Sequence, residues 1–466
     1  MAMASFDDIY ASKPQPFSLH TLYRIWSGVV KKSYVYNTLI GILVLSGLFL
    51  FLFSGSSSKS SSALRSSSVP PNLPPSFARL ASLLVDIHKE ASSTSSSDGD
   101  DDNVLRFFSI GDFGVNTAGA RTAALALANV TASLRPSFIV GLGDNFYPTG
   151  VEKHSAQRQF RQNFESVYGA QALRSVPWFM ALGDHDHCGD VGAQVQYTAS
   201  SSNKRRRWRM PAQWFGVRAN ARGEAAESGT NAYDAMKNAA VQFVFSDTVA
   251  GEGSMPGVED GDGSTRRHMY DRCYRPDAAG RAVSEEHNAY VERELERWSS
   301  GADGAAPWMI VVGHRPVLSA TRRSCAPPNE GGLSAAEMLH RDYRIRKYAD
   351  HSERAQRADR PPLVYLGGHD HTVQHIESRG ASSSVHFLVN GVGGYDLHAF
   401  DKRCEAGASA SCLPLGAVGH EHKLHVASAY YGFAVHELRA SRFDTIFVDA
   451  EGLGRDVRTT VFRKNV

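Results

Sequence analysis

The chain has 466 residues, 42 % of them hydrophobic, and a formal net charge of +2 at pH 7. That near-neutral balance speaks against bulk nucleic-acid binding, and the length exceeds what one α/β domain needs. Five cysteines, none in a Cys-x-x-Cys, speak against a thiolate-held zinc and fit an oxidising compartment with an odd one left over.

In chain order, residues 1–33 read as a polar cytoplasmic tail. Residues 34–53 are apolar and uncharged, about the length that crosses a bilayer as a helix. Lys31 and Lys32 abut its N-terminal side, with Arg24 further back and Lys59 and Arg65 beyond it. This basic bias reads as a type II signal anchor, with the rest of the chain extracellular or in the lumen of the secretory or endolysosomal pathway. A signal peptide cleaved near Ser54-Gly55-Ser56, giving a secreted protein, is the alternative. Residues 54–103, rich in Ser, Pro and Asp, read as an unpacked stalk with a short helix over 77–89.

Residues 104–466 carry the chemistry. Five segments stand out: Gly111-Asp112-Phe113-Gly114, Gly143-Asp144-Asn145-Phe146-Tyr147, Gly183-Asp184-His185-Asp186, Val311-Val312-Gly313-His314 and Gly368-His369-Asp370-His371. Each follows a short apolar, β-rich run, at 105–110, 138–142, 178–182, 308–312 and 363–366. Each is therefore expected on the loop at the C-terminal end of a strand, so that distant side chains meet at one sheet edge. Helices are predicted over 117–134, 152–168, 285–299 and 333–348, and late strands over 385–389, 432–438 and 444–448. The turn 391–395 is expected to close the rim of the site, and 251–264 reads as an insertion without periodicity. The basic run 204–209 is either a solvated loop before a strand or a contact for acidic substrates. Asn129-Val130-Thr131 is a glycosylation sequon.

Asp112, Asp144, Tyr147, Asp184, His314, His369 and His371 offer hard oxygen and borderline nitrogen donors, which suits Fe, Mn or Zn. The set is too large for one ion and about right for two ions sharing a carboxylate. Such pairs stabilise the attacking and leaving oxygens of phosphoryl transfer. His187 and His375 lie near the motifs and are expected behind the ligands or at the surface.

These motifs resemble the purple acid phosphatases, in particular the small animal-type tartrate-resistant acid phosphatases of the calcineurin-like metallophosphoesterase superfamily. The resemblance runs from about residue 105 to the C-terminus and is densest over 142–151, in Val176-Pro177-Trp178, Asp186-His187 and Gly368-His369-Asp370-His371. It implies a four-layer α/β/β/α sandwich with two mixed sheets, beside the N-terminal transmembrane helix. It implies an acid phosphomonoesterase whose Fe(III) is held by Asp112, Asp144, Tyr147 and His371. A divalent Fe, Zn or Mn would be held by the bridging Asp144 with Asp184, His314 and His369. Tyr147 would give the iron a coloured phenolate bond. A metal-bound hydroxide would be the nucleophile, and protonated His185 would assist the leaving group, giving an acidic optimum. Phosphomonoesters and a membrane are the expected partners, with no nucleic acid and no obligate protein. A surface protein of this fold that binds metal with little turnover is the rival reading.

Two positions depart from the family. Asp184 stands where the family has Asn, and the added charge is expected to lower turnover while sparing metal binding. Arg315 stands where animal members have an aromatic, and either contacts phosphate or points to solvent. The resemblance also pairs Cys325 with Cys273. Cys404 and Cys412 are close enough in sequence to pair, which leaves Cys188 as the odd cysteine.

Overall fold

The computed structural model describes residues 73–94, 104–252, 278–301, 305–321, 345, 347, 361–380, 384–400 and 421–462. Two mixed sheets form its centre. The first orders as β15 (Val457–Phe462), β14 (Arg442–Asp449), β13 (Gly432–Leu438), β1 (Leu105–Ile110), β2 (Ile139–Gly141), β3 (Trp178–Met180) and β4 (Trp208–Arg209). Its β1 to β4 half is parallel and its β13 to β15 half antiparallel. The second orders as β12 (Glu421–Ser428), β10 (Val373–Arg379), β11 (Ser384–Asn390), β9 (Leu363–Gly367), β8 (Trp308–Val312), β7 (Val241–Phe245), β5 (Phe215–Ala219) and β6 (Ala225–Glu227), parallel from β11 to β7.

The sheets meet through aromatic rings. Phe243 of the second packs edge-on against Phe107 and Phe138 of the first, with centroids 5.1 and 5.5 Å apart. Trp308 meets Phe443 at 6.2 Å. Such pairs add roughly 0.5–1.5 kcal/mol each beyond their buried area. Both faces of the central strands are covered, which is why β1, Leu-Arg-Phe-Phe-Ser-Ile, reads as an almost unbroken apolar run. Helices α1 (Ala78–Thr94) and α2 (Ala118–Leu134) lie on the first sheet. Helix α4 (Ala278–Ser300), which follows the single turn α3 (Thr248–Glu252), packs Val291, Leu295 and Trp298 against Val244, Met309 and Leu363 of the second.

Most predicted elements are present. Helix α2 matches its prediction because Thr117 caps it, its hydroxyl accepting from the Ala120 N–H at 3.1 Å. The helix expected over 152–168 is one α-turn, Ala156–Gln159, running into a π-turn, Phe160–Glu165. The widened turn seats Phe160 against Trp208 and Phe164 against Trp178, at 4.9 and 5.3 Å. The basic run divides: Lys204 to Arg206 are exposed, while Arg207 is buried, bonded to Glu165 at 2.7 Å, and Trp208 and Arg209 form β4. The sequon lies inside α2 with Thr131 buried, so this helix does not present it. Apart from 345 and 347, both helical, the helix predicted over 333–348 falls outside the described residues, as do most of 251–264 and all of 34–53. Among those described, no helix is long and apolar enough to cross a membrane.

Residues 78–94 are not an unpacked stalk. Phe77, Leu80, Leu83, Leu84 and Ile87 are buried in the main core. The helix is also pinned by charge: His88 lies 3.2 Å from Glu437, which takes Arg106, and Glu90 takes Arg458 at 2.6 Å and Arg442 at 3.4 Å. Burial opposes ionisation of Glu437, but His88, Arg106 and Arg439 outweigh it and hold the carboxyl well below its usual range. The boundary read at residue 104 therefore falls inside the folded unit. Leu84→Ala should cost about 2–5 kcal/mol in urea unfolding, and a cost near zero would show that α1 does not pack on the sheet.

Candidate metal centre

The site lies where the C-terminal ends of β1, β2, β3, β8 and β9 meet, and glycines let the loops close. Gly143 has φ +88°, and a Cβ there would lie 2.7–2.8 Å from the His314 side chain. A Cβ at Gly183 would sit 2.2 Å from the Asp144 N–H nitrogen. The loops are stitched by main-chain bonds: Asp112 donates to the Gly143 carbonyl at 3.2 Å, Gly368 to His314 at 2.8 Å and Gly393 to Gly111 at 2.9 Å. Asp112, Asp144 and His369 all have left-handed backbone, with φ of 57°, 53° and 66°. Outliers of this kind gather at functional sites because they aim a side chain that ordinary backbone would not.

All seven candidate ligands converge. Asp112 Oδ1 accepts from the Tyr147 hydroxyl at 2.9 Å and lies 3.2 Å from His371 Nε2. Tyr147 Oη is 3.4 Å from the same His371 nitrogen. Asp144 Oδ1 lies 3.4 Å from His314 Nε2 and accepts the His185 N–H at 2.9 Å. Asp184 Oδ1 lies 3.0 Å from His314 Nε2 and 3.3 Å from His369 Nδ1. One atom each of Asp112, Asp144 and His314 lie within 4.8 Å of one another, as do atoms of Asp184, His314 and His369.

The protonation pattern calls for a cation here. His314 Nδ1 is 2.8 Å from the Leu142 carbonyl, which only accepts, so Nδ1 carries the hydrogen. In neutral imidazole Nε2 is then a lone pair facing two carboxylate oxygens. Three acceptors meet at hydrogen-bond distance with nothing to share unless a proton or a metal ion sits among them. Burial would lower the His314 pKa, but Asp144 and Asp112 prevail and raise it well above normal, which is the proton's claim on the same place. At Tyr147, burial first, then Asp112 and Asp144, push the phenol well above its ordinary range, so a phenolate there needs a cation beside it. Asp112, Asp144 and Asp184 are 0 %, 1 % and 4 % exposed, so solvent does not relieve the charge. The donor set fits a pair of hard or borderline cations.

The contacts of several supporting residues emerge only in the structure. Asp186 is buried and collects the N–H groups of Asn145, Phe146 and Gly183 and the Gln194 amide, tying the second and third motif loops together. Burial, with Asp144 adding to it, raises its carboxyl to about 7. Tyr395, in the expected rim turn, stacks on Tyr147 with centroids 4.1 Å apart, and His398 stacks on His371 at 4.0 Å. Arg315 Nη2 lies 3.5 Å from Asp184 Oδ2, so its side chain turns to the site.

Two expectations are corrected. His375 is neither behind the ligands nor at the surface: it is buried on β10, bonded to His386 at 2.9 Å and to Thr459 of the other sheet. Cys188 is disulfide-bonded rather than left over. It ends the short 3-10 turn Asp186–Cys188 and is half-buried. Cys273, Cys325, Cys404 and Cys412 lie outside the described residues. His187 is held by Asp247, with its Nε2 2.9 Å from both carboxylate oxygens.

A family model described as calcineurin-like phosphoesterase matches residues 86–373, and the chain belongs to that family. Tartrate-resistant acid phosphatase type 5 of Sus scrofa is 26 % identical over 299 residues, 63 % of this chain and 70 % of the relative. Purple acid phosphatase 4 of Arabidopsis thaliana is 26 % identical over 295 residues, 63 % and 69 % of the two chains. Among solved structures, GAP50, the anchor in the inner membrane complex of Plasmodium, aligns at TM-score 0.50 and 20 % identity over 78 % of this chain and 90 % of that one, a likeness of fold.

Gly143→Ala should destabilise the protein by about 1–3 kcal/mol, since it combines a left-handed backbone with contact against His314. Thermal unfolding reads this, and an unchanged midpoint would mean that the loop does not need glycine.

Proposed function

We propose that this chain is an acid phosphatase that hydrolyses phosphate monoesters at a dinuclear centre. The observation that carries the reading is the His314 lone pair facing Asp144 and Asp184 in a buried, carboxylate-rich pocket of a phosphoesterase-family fold. Fe(III) would be held by Asp112, Asp144, Tyr147 and His371, and a divalent Fe, Zn or Mn by Asp144, Asp184, His314 and His369. The proximity of His371 and Tyr147 to Asp112, and of His314 and His369 to Asp184, supports that division. When bound, the ions would neutralise the phosphate and lower the pKa of a water so that it attacks phosphorus.

The chain's own groups supply the rest. Asp186 keeps the Asp144 and Asp184 loops in register, and the Leu142 carbonyl fixes the His314 tautomer so that Nε2 faces inward. His185 Nδ1 is 2.6 Å from the Pro148 carbonyl and so carries a hydrogen, which leaves Nε2 as the atom that takes and gives a proton. Nε2 lies 3.8 Å from Asp144 Oδ2, at the edge of the ligand cluster. From there it can hand its proton to the departing alkoxide, a step that requires the acid form and favours acidic pH.

The purified protein assayed on a chromogenic phosphomonoester with metal analysis should show turnover and two ions. Tyr147→Phe should keep iron but lose visible colour, and His185→Ala should keep both metals and lose about 10²–10⁴-fold in rate. A metal-loaded wild type without turnover would favour the binding-protein reading. We also infer that residues 34–53 anchor the protein with its catalytic domain outside the cytoplasm or in a lumen. Intact cells should then hydrolyse external substrate, and the protein should stay in membranes after alkaline washing. A mature N-terminus near Ser56 with activity in the medium would replace the anchor with secretion.

A further inference from the structure

The carboxylate of Asp184 is divided between two directions. Oδ1 turns inward, 3.0 Å from His314 Nε2 and 3.3 Å from His369 Nδ1. Oδ2 turns outward, 3.5 Å from Arg315 Nη2. Arg315 is fixed from its main chain: its N–H donates to the Thr248 hydroxyl at 3.2 Å, and its carbonyl accepts from the Tyr365 hydroxyl at 2.7 Å. Its side chain is 21 % exposed and that of Asp184 is 4 %, so water screens the pair only in part.

We propose that Asp184 and Arg315 are one charge-compensated unit, in which Arg315 is a positioning residue that weakens the hold of Asp184 on the divalent ion and keeps the site positive enough to bind phosphate. The proposal rests on the divalent-ion reading above. Its logic is electrostatic. A carboxylate facing two cations gives each less than it would give one alone. An aspartate with a guanidinium behind it carries the same net charge as a neutral amide alone, so the added carboxylate need not cost turnover. An amide at 184 could offer its oxygen to only one of the two positive partners and would turn its N–H₂ towards the other. Neither residue should therefore tolerate the other's replacement alone.

The test is a double-mutant cycle on Asp184→Asn and Arg315→Gln. Two quantities are read: Zn(II) affinity of the metal-stripped protein against a chelating dye, and inorganic phosphate affinity of the reloaded protein by calorimetry. Arg315→Gln should tighten Zn(II) about tenfold and weaken phosphate about tenfold, while Asp184→Asn should weaken Zn(II) by about tenfold or more. The double variant should return to within about threefold of wild type, and Arg315→Lys should stay near wild type. The sign is diagnostic, because a merely structural role for Arg315 predicts weaker Zn(II) binding when it is removed. Arg315→Met serves as a second neutral variant should the Gln form not fold. Unchanged or weakened Zn(II) binding in the neutral Arg315 variant, or a double variant that stays as weak as Asp184→Asn alone, would overturn the unit. A wild type that binds no Zn(II) would overturn the divalent-ion reading itself, and the unit with it.

Discussion

Three carboxylates and the lone pair of His314 share one buried volume, and the surrounding structure is arranged to keep them there. Like charges and lone pairs repel, and out of water the repulsion is poorly screened. Left to ordinary backbone preferences the loops would separate. They are held by left-handed residues at Asp112, Asp144 and His369, by glycines that admit close approach, and by Asp186, which takes donors from the Asn145-Phe146 loop, from its own loop at Gly183 and from Gln194. The cation that relieves the repulsion is supplied from outside the chain.

The two sheets make this possible by being stiff. Ligands come from strands of both sheets, so the distance between sheets sets the distance between ligands. Phe107, Phe138 and Phe443 of one meeting Phe243 and Trp308 of the other fix that spacing with large, nearly incompressible side chains. A core of smaller aliphatic residues could bury similar area with more latitude for sliding. The site, drawn from positions between Asp112 and His371, inherits its precision from the aromatic seam beneath it.

Much of this could be read in the sequence. Each Gly-Asp or His motif followed a β-rich run, and strand ends are local features, so the gathering of Asp112, Asp144, Asp184, His314 and His369 followed from topology alone. Helix α2 carried its own cap in Thr117. What escaped notice depended on contacts between distant residues. The apolar spacing of Leu80, Leu84 and Ile87 was visible, but not that β13 and β14, over 340 residues later, offered the surface and the charges to hold them. His375 follows the last motif closely, yet strand alternation turns it into the seam with Thr459. The Asp184 and Arg315 departures looked independent because 130 positions separate Asp184 from the His314 that Arg315 follows. Only the fold puts them face to face.

The packing of α1 has a consequence for how the domain could be released from whatever precedes it. A protease that cut before residue 73 would free a unit with its core intact, since α1 would leave together with the sheet it covers. The Ser- and Asp-rich stretch 95–103 is, by composition, the more inviting target. Cleavage there would sever α1 from β1 and leave it held by non-covalent contacts, among them its side-chain packing and the ion pairs of His88 and Glu90. The position of the cut, rather than its occurrence, would decide whether processing yields a durable soluble enzyme or one with an exposed apolar flank.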